Sequence, residues 1–283
     1  MKTNSKPLLN SAAGSLLAVL VFATSNFATI SGTDKAWGIL NAALAGNTDD
    51  RTTAVSVLAL IPGDAKVLNL ATGALDDPRP EVRVAACNSL GALDNKAAIP
   101  SLQKAVADDK EMSVIVACAH ALHALKDNSA YEIYYAILTG EVKDSTSLIT
   151  KQLDTLKDPR QLAKIGFEQG IGFIPFAGAG WSAFRAIRRS DPSPVRAAAA
   201  RALATDPDPK SGEALVNATQ DNNWVVRVAA LEALSHRGDP TLRVKVEPAM
   251  NDRTKRVRFT AAAVVIHLSE LKKTKPARRG PTR

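Results

Sequence analysis

Six residues separate Asp77 from Arg83, Asp221 from Arg227 and Asp252 from Arg258, and five separate Asp191 from Arg196. A valine precedes each arginine (Val82, Val226, Val257, Val195). Seven places beyond each arginine stands Leu90, Leu234, Val265 or Leu203. The same apolar position recurs at Leu58, Leu122 and Leu153, so each half of the chain keeps one nearly constant period. Self-similarity at a period of this length restricts a chain to stacked supersecondary units, because one unit alone cannot bury its apolar face. Seven units can be counted in this register.

Each unit reads as a pair of helices. The first is moderately amphipathic, as at 66–75, 97–106 and 212–218. A polar turn follows, then a more regular second helix with Val82, Ala85, Ala86, Leu90 and Leu93 at helical spacing. Pro80 and Pro194 fall near the start of second helices, where a missing N–H costs nothing, and Ser193 is placed to cap one of them. Gly63-Asp64, Asp94-Asn95 and Gly238-Asp239 close units. Aromatic residues make up only 5% of the chain, which suits closely packed helices and argues against a β-sandwich.

One interval breaks the period. The step from Leu153 to Leu203 is longer than one repeat, and the excess is an insertion placed at about 164–182. It contains the glycine- and phenylalanine-rich stretch 166–181, with the uncharged run from Ile171 to Ala179. Phe173, Ile174, Phe176 and Trp181 are its candidate contacts for a partner or a membrane surface. The competing expectation is a buried turn, with glycines permitting close backbone approach.

The formal charge of +8 resides at the ends. Lys2 and Lys6 precede the apolar run 12–23, and the stretch 272–283 carries six basic residues and no acid, so the body between is neutral. A neutral body argues against a nucleic-acid-binding groove. The stretch 1–30 has the form of an export signal: a basic start, the apolar run, then small and polar residues around Ala23-Thr24-Ser25. The run is short for a membrane span, which needs about 20 apolar residues; an uncleaved membrane anchor is the alternative. The chain thus divides into a leader (1–30), a helical array (31–271) and a basic tail (272–283) expected to be disordered, with weak attraction to anionic surfaces. Cys87 and Cys118 occupy nearly equivalent positions in adjacent units. Neighbouring helices lie about 8–10 Å apart, beyond the usual disulfide spacing, so both cysteines are expected as small buried side chains; oxidation, open to an exported protein, is the alternative.

The segments Asp77–Val82–Arg83–Ala86–Leu90, Asp191–Val195–Arg196–Ala199–Leu203, Asp221–Val226–Arg227–Ala230–Leu234 and Asp252–Val257–Arg258–Ala261–Val265 resemble the HEAT-repeat family, in particular its short bacterial form found in PBS-lyase-like repeats. The resemblance covers about 35–271. It implies an all-α, right-handed α-solenoid in which Asp77, Arg83, Asp191, Arg196, Asp221, Arg227, Asp252 and Arg258 form a structural ladder along the stack. It also implies that the second helices line the concave side, with Asn88, Arg201, Glu232 and Ala263 pointing outward. Ile115 and Thr146 stand where arginine is expected, so the ladder should be broken in the middle, while Arg51 follows a turn of different length.

HEAT-like metal hydroxylases carry repeated His-Glu motifs, which this sequence lacks. His120 and His123 are one helical turn apart, but no acidic cluster or second pair accompanies them. No nucleophile elbow, Walker motif or complete dinucleotide fingerprint is present. The expected function is therefore a non-catalytic, exported scaffold or adaptor that binds an unknown protein, with no cofactor, metal or catalytic residues. A lyase-like or other enzymatic HEAT protein acting on a small ligand is the alternative; it needs a pocket with convergent polar groups around His120 or His123.

Overall fold

The computed structural model describes residues 31–139 and 192–273; all the regular structure among them is helical. The N-terminal group comprises α1 (Gly32–Leu44), α2 (Thr48–Val57), α3 (Ala65–Gly73), α4 (Pro80–Ala92), α5 (Ile99–Asp108), α6 (Met112–Ala124) and α7 (Ser129–Thr139). The C-terminal group comprises α8 (Ser193–Ala202), α9 (Pro209–Ala218), α10 (Trp224–Arg237), α11 (Arg243–Val246) and α12 (Lys255–Lys273). Short 3-10 turns continue several helices, such as Leu58–Leu60 after α2 and Glu247–Asn251 after α11.

Local chemistry sets the boundaries. Asn47, Asp64 and Asn223 cap α2, α3 and α10 by accepting hydrogen bonds from backbone N–H groups of the first turn. Pro80 opens α4. Ser193 is not a cap, as the sequence suggested, but the first residue of α8; Pro192 holds the cap position. Second helices end on a residue with left-handed backbone at Gly63, Asp94, Lys126 and Gly238. At Lys126 the N–H of Asp127 bonds the Leu122 carbonyl and that of Lys126 bonds the His123 carbonyl, which satisfies the last carbonyls of α6. A lysine carries a steric cost there that glycine avoids. Lys126→Gly should therefore raise unfolding stability by about 1 kcal/mol in urea titration.

The apolar register positions form the core. Leu58, Leu90, Leu122 and Val265 are fully buried, with Leu234 nearly so, and Ala54, Ala86, Cys118, Ala230 and Ala261 beside them are fully buried. Ala199 departs from its register and is exposed, while Ala197 and Ala200 are buried. Among the described helices, α8 lies at one end of the row and packs chiefly on α10, so one face of it has no second-helix neighbour.

The order of packing is not the order of the chain. α8 packs on α10 and α10 on α12; α2 packs on α4 and α4 on α6. The two series join where α12, the last helix, packs on α1 and α2. The second helices therefore run α8, α10, α12, α2, α4, α6, with the first and last described helices, α1 and α12, adjacent in the interior of the row. Polar contacts fix the junction. The Thr33 hydroxyl donates to Ser269 Oγ at 2.9 Å, Lys35 bonds Asn251 at 2.7 Å, and Lys255 bonds both carboxylate oxygens of Asp50. Ala36, Leu40 and Ala43 of α1 belong to one hydrophobic core shared with Ala261–Ile266 of α12. That core is continuous through both halves.

α4 and α6 approach most closely where their facing residues are small. A Cβ on Gly91 would stand 2.9 Å from Ala121 Cα. Close approach brings Cys87 and Cys118 to a Cα separation of 4.8 Å, and they form a disulfide. The expectation of two unlinked cysteines is thus overturned. The usual interhelical distance applies to helices held apart by larger side chains, whereas Gly91 and Ala121 remove that spacer.

Candidate functional site

The turns that join first to second helices carry the arginine and aspartate ladder. Each aspartate first organises its own turn: Asp77, Asp109, Asp221 and Asp252 accept from the backbone N–H two residues on. Nη1 of four arginines donates to a backbone carbonyl of its own unit: Gly46 for Arg51, Asp77 for Arg83, Asp221 for Arg227 and Asp252 for Arg258. Among the described residues Arg258 bonds only Asp252 and Arg253 of its own unit, so it does not continue the ladder as the sequence suggested. The forks of Arg51, Arg83, Arg196 and Arg227 engage the next unit's aspartate. Arg51 meets Asp77 at 2.8 Å, Arg83 meets Asp109 at 2.6 Å and Arg196 meets Asp221 at 2.9 Å. Arg227 Nη2 donates to Asp252 Oδ1 at 2.8 Å, and its Nε lies 2.8 Å from Oδ2 without the alignment of a hydrogen bond.

The structure thus places Asp77, Arg83, Arg196, Asp221, Arg227 and Asp252 between units, and adds Arg51 and Asp109 as partners. Asp109 precedes Ile115 by the same six residues, but a search for paired aspartate and arginine passes over it. Ile115 is buried, so no cation continues the row from α6. At the junction the loop before α2 supplies no aspartate in the ladder position, and Lys255–Asp50 links the units there instead. Asp191, Thr146, Phe173, Ile174, Phe176 and Trp181 lie outside the described residues.

Pairing holds these carboxyls below the ordinary aspartate range. The bond from Arg51 is the main cause at Asp77. At Asp109, Asp221 and Asp252 burial is the largest influence and pushes upward, but arginine and backbone N–H bonds together outweigh it. A folded-state pKa below the unfolded value of about 3.9 adds stability above that pH, and the gain is lost as pH falls through the folded value. Stability in urea should therefore drop steeply below about pH 4. In Asp221→Asn/Asp252→Asn stability should be lower at neutral pH and the acid fall shallower.

The second-helix face carries a different set. Asn88, His120 and Arg201 are exposed there. Glu232 pairs with Arg201 at 3.3 Å, with 22% of its side chain exposed. Burial pushes its carboxyl upward against the pull of Arg201. Burial also lowers His267, helped by nearby His236. Ala263 does not point outward as expected; it is 0% exposed, enclosed in the junction. At the α6–α7 end, His120 lies 5.7 Å from Tyr134 and His123 lies 5.6 Å from Tyr131, ring centre to ring centre. Tyr131, Tyr135 and Leu138 are exposed on α7.

Two grooves run between neighbouring units. One of about 480 Å³ is lined by Arg83, Lys104, Asp108, Asp109, Lys110 and Glu111, among others. The other, of about 290 Å³, lies beside Arg51 and Asp77. Neither includes His120 or His123. Among the described residues, no three of His, Cys, Asp and Glu are grouped to hold a metal, and no helix is long and apolar enough to cross a membrane.

Among solved structures, 15 chains match. Human deoxyhypusine hydroxylase in complex with glycerol is similar at 15% identity over 84% of this chain and 97% of its own, with a TM-score of 0.33. So loose a likeness carries no argument about activity. No curated protein matches the chain in sequence. The family model for HEAT repeats matches residues 38–123 and 182–266, which is more than half of the sequence. The chain belongs to the HEAT-repeat family.

Proposed function

We propose that the protein is a right-handed α-solenoid of about seven HEAT-like units that works as an exported, non-catalytic scaffold or adaptor for another protein. The carrying observation is the uninterrupted row of second helices, from α8 through the junction to α6, on which the exposed residues differ from unit to unit. Arg51, Arg83, Arg196 and Arg227 are occupied by neighbouring aspartates, so they serve register between units and leave recognition to the helix face. Export is supported by the composition of residues 1–30 and by the Cys87–Cys118 bridge, since disulfides persist in oxidising compartments.

The test is affinity capture from the exported fraction with the native protein and with Asn88→Arg/His120→Glu. One protein retained in stoichiometric amount by the native chain and lost with the variant, at unchanged thermal stability, is the expected result. Capture indifferent to the helix face contradicts the reading.

A further inference from the structure

We infer that the second-helix face of α8, α10 and α12 binds an acidic peptide segment, gripped by Arg201, Arg256, His236 and His267. The inference rests on the scaffold reading and gives the partner a chemistry.

The period brings these side chains together. Arg201 and Glu232 stand 31 residues apart in sequence and meet at 3.3 Å across α8 and α10. His236 and His267 have the same separation on α10 and α12, which also pack on each other. His236 follows Glu232 by one helical turn, so the two rows adjoin. Arg201 and His236 are exposed, and Arg256 and His267 are half-buried. Arg256 and His236 add to the pull of Arg201 on the Glu232 carboxyl, yet burial prevails and raises it. Four bases thus gather around one acid, although the body as a whole carries no net charge.

Burial and His236 together lower His267. The other charges near α12 are engaged elsewhere. On α1, Asp34 bonds Ser31 and Lys35 bonds Asn251. Asp49 and Asp50 lie in the first turn of α2 beside the start of α12, where Asp50 holds Lys255, and Arg51 holds Asp77. Arg243 pairs with Glu247. Glu270 follows His267 one turn later on α12 itself. A carboxylate seated between His236 and His267 favours the charged imidazoles, so binding takes up protons and tightens as pH falls below neutral. A peptide suits the patch better than a nucleic acid. The Glu232 carboxylate keeps 22% of its side chain exposed and only accepts hydrogen bonds. A peptide brings N–H donors to it along with its own carboxylates, whereas a phosphate backbone brings acceptors alone.

The test is fluorescence anisotropy with the full chain and a labelled octapeptide of alternating glutamate and glycine, with the glutamine counterpart as control. Only the glutamate peptide should bind, about tenfold tighter at pH 6 than at pH 7.5, and it should shift the ring C–H resonances of His236 and His267 in NMR spectra. Arg201→Gln/His236→Gln, at two exposed positions, should weaken binding on the order of tenfold and flatten its pH dependence at an unchanged melting temperature. Lys275→Gln/Arg278→Gln/Arg279→Gln/Arg283→Gln should leave that pH dependence intact. Binding that disappears with this last variant, equal binding of the glutamine peptide, tighter binding to duplex DNA, or unshifted histidine resonances overturns the inference. A protein partner still captured by Arg201→Gln/His236→Gln, but lost with Asn88→Arg/His120→Glu, overturns it too and leaves the scaffold reading standing.

Discussion

Arg227→Ala should lower unfolding stability by about 3–5 kcal/mol, measured by urea denaturation at neutral pH. The side chain is 6% exposed and that of its partner Asp252 is 13% exposed. Arg227 also donates to the carbonyls of Asp221 and Asn222 and to the Thr254 hydroxyl. Its removal leaves a buried carboxylate without a counter-charge and two carbonyls without a donor, and truncation of a buried pair is costly for that reason. Arg196 makes the same kind of bridge to Asp221, but its side chain is 42% exposed and water can replace it. Arg196→Ala should cost no more than about 1 kcal/mol. Equal losses at the two sites would contradict the view that the buried part of the ladder sets the register between units.

Replacement of both bridged cysteines, Cys87→Ala/Cys118→Ala, should cost about 3–4 kcal/mol, the loop-closure value for the 31-residue separation. Both side chains are fully buried and similar in size to alanine, so little packing is lost and nearly all of the effect comes from the freed unfolded chain. Reduction of the native protein should produce a similar fall in midpoint. If reduction leaves the midpoint unchanged while mass spectrometry finds both thiols free, the bridge contributes nothing and the inter-unit link is dispensable.

The helical units and their core positions were legible in the sequence because burial follows a strict period. Leu90, Leu122 and Leu234 were identifiable by counting alone. The ladder was half legible. Its arginines and turn aspartates stood out, but the pairing is not within a unit: Arg83 passes over Asp77's carboxylate to reach Asp109. Spacing within one unit cannot reveal a contact between units. The disulfide was missed for a related reason, since the approach of α4 and α6 depends on Gly91 facing Ala121, and a typical interhelical distance ignores that local pair.

The stacking order was the least legible feature. A period says which residues are equivalent and nothing about which units are neighbours. One signal did exist in α12. A terminal unit of an array needs a polar outer face, yet Ala261 to Ile266 is apolar without a break and fully buried. A helix apolar all round belongs in an interior, and α12 has one because α1 and α2 cover the face that a terminal helix would expose. The enclosed Ala263, expected to point outward, is a direct consequence of that cover.

The junction between the two halves can be tested by a single cross-link. Thr33 and Ser269 hydrogen-bond at 2.9 Å across 236 residues of sequence. In a row of units about 10 Å apart following chain order, they would be separated by roughly 50–60 Å. Thr33→Cys/Ser269→Cys, oxidised at low concentration and digested, should yield a peptide joining positions 33 and 269 within one molecule while Cys87–Cys118 stays intact. Free thiols at 33 and 269 under conditions that keep the native bridge would contradict the junction and restore a row stacked in the order of the sequence.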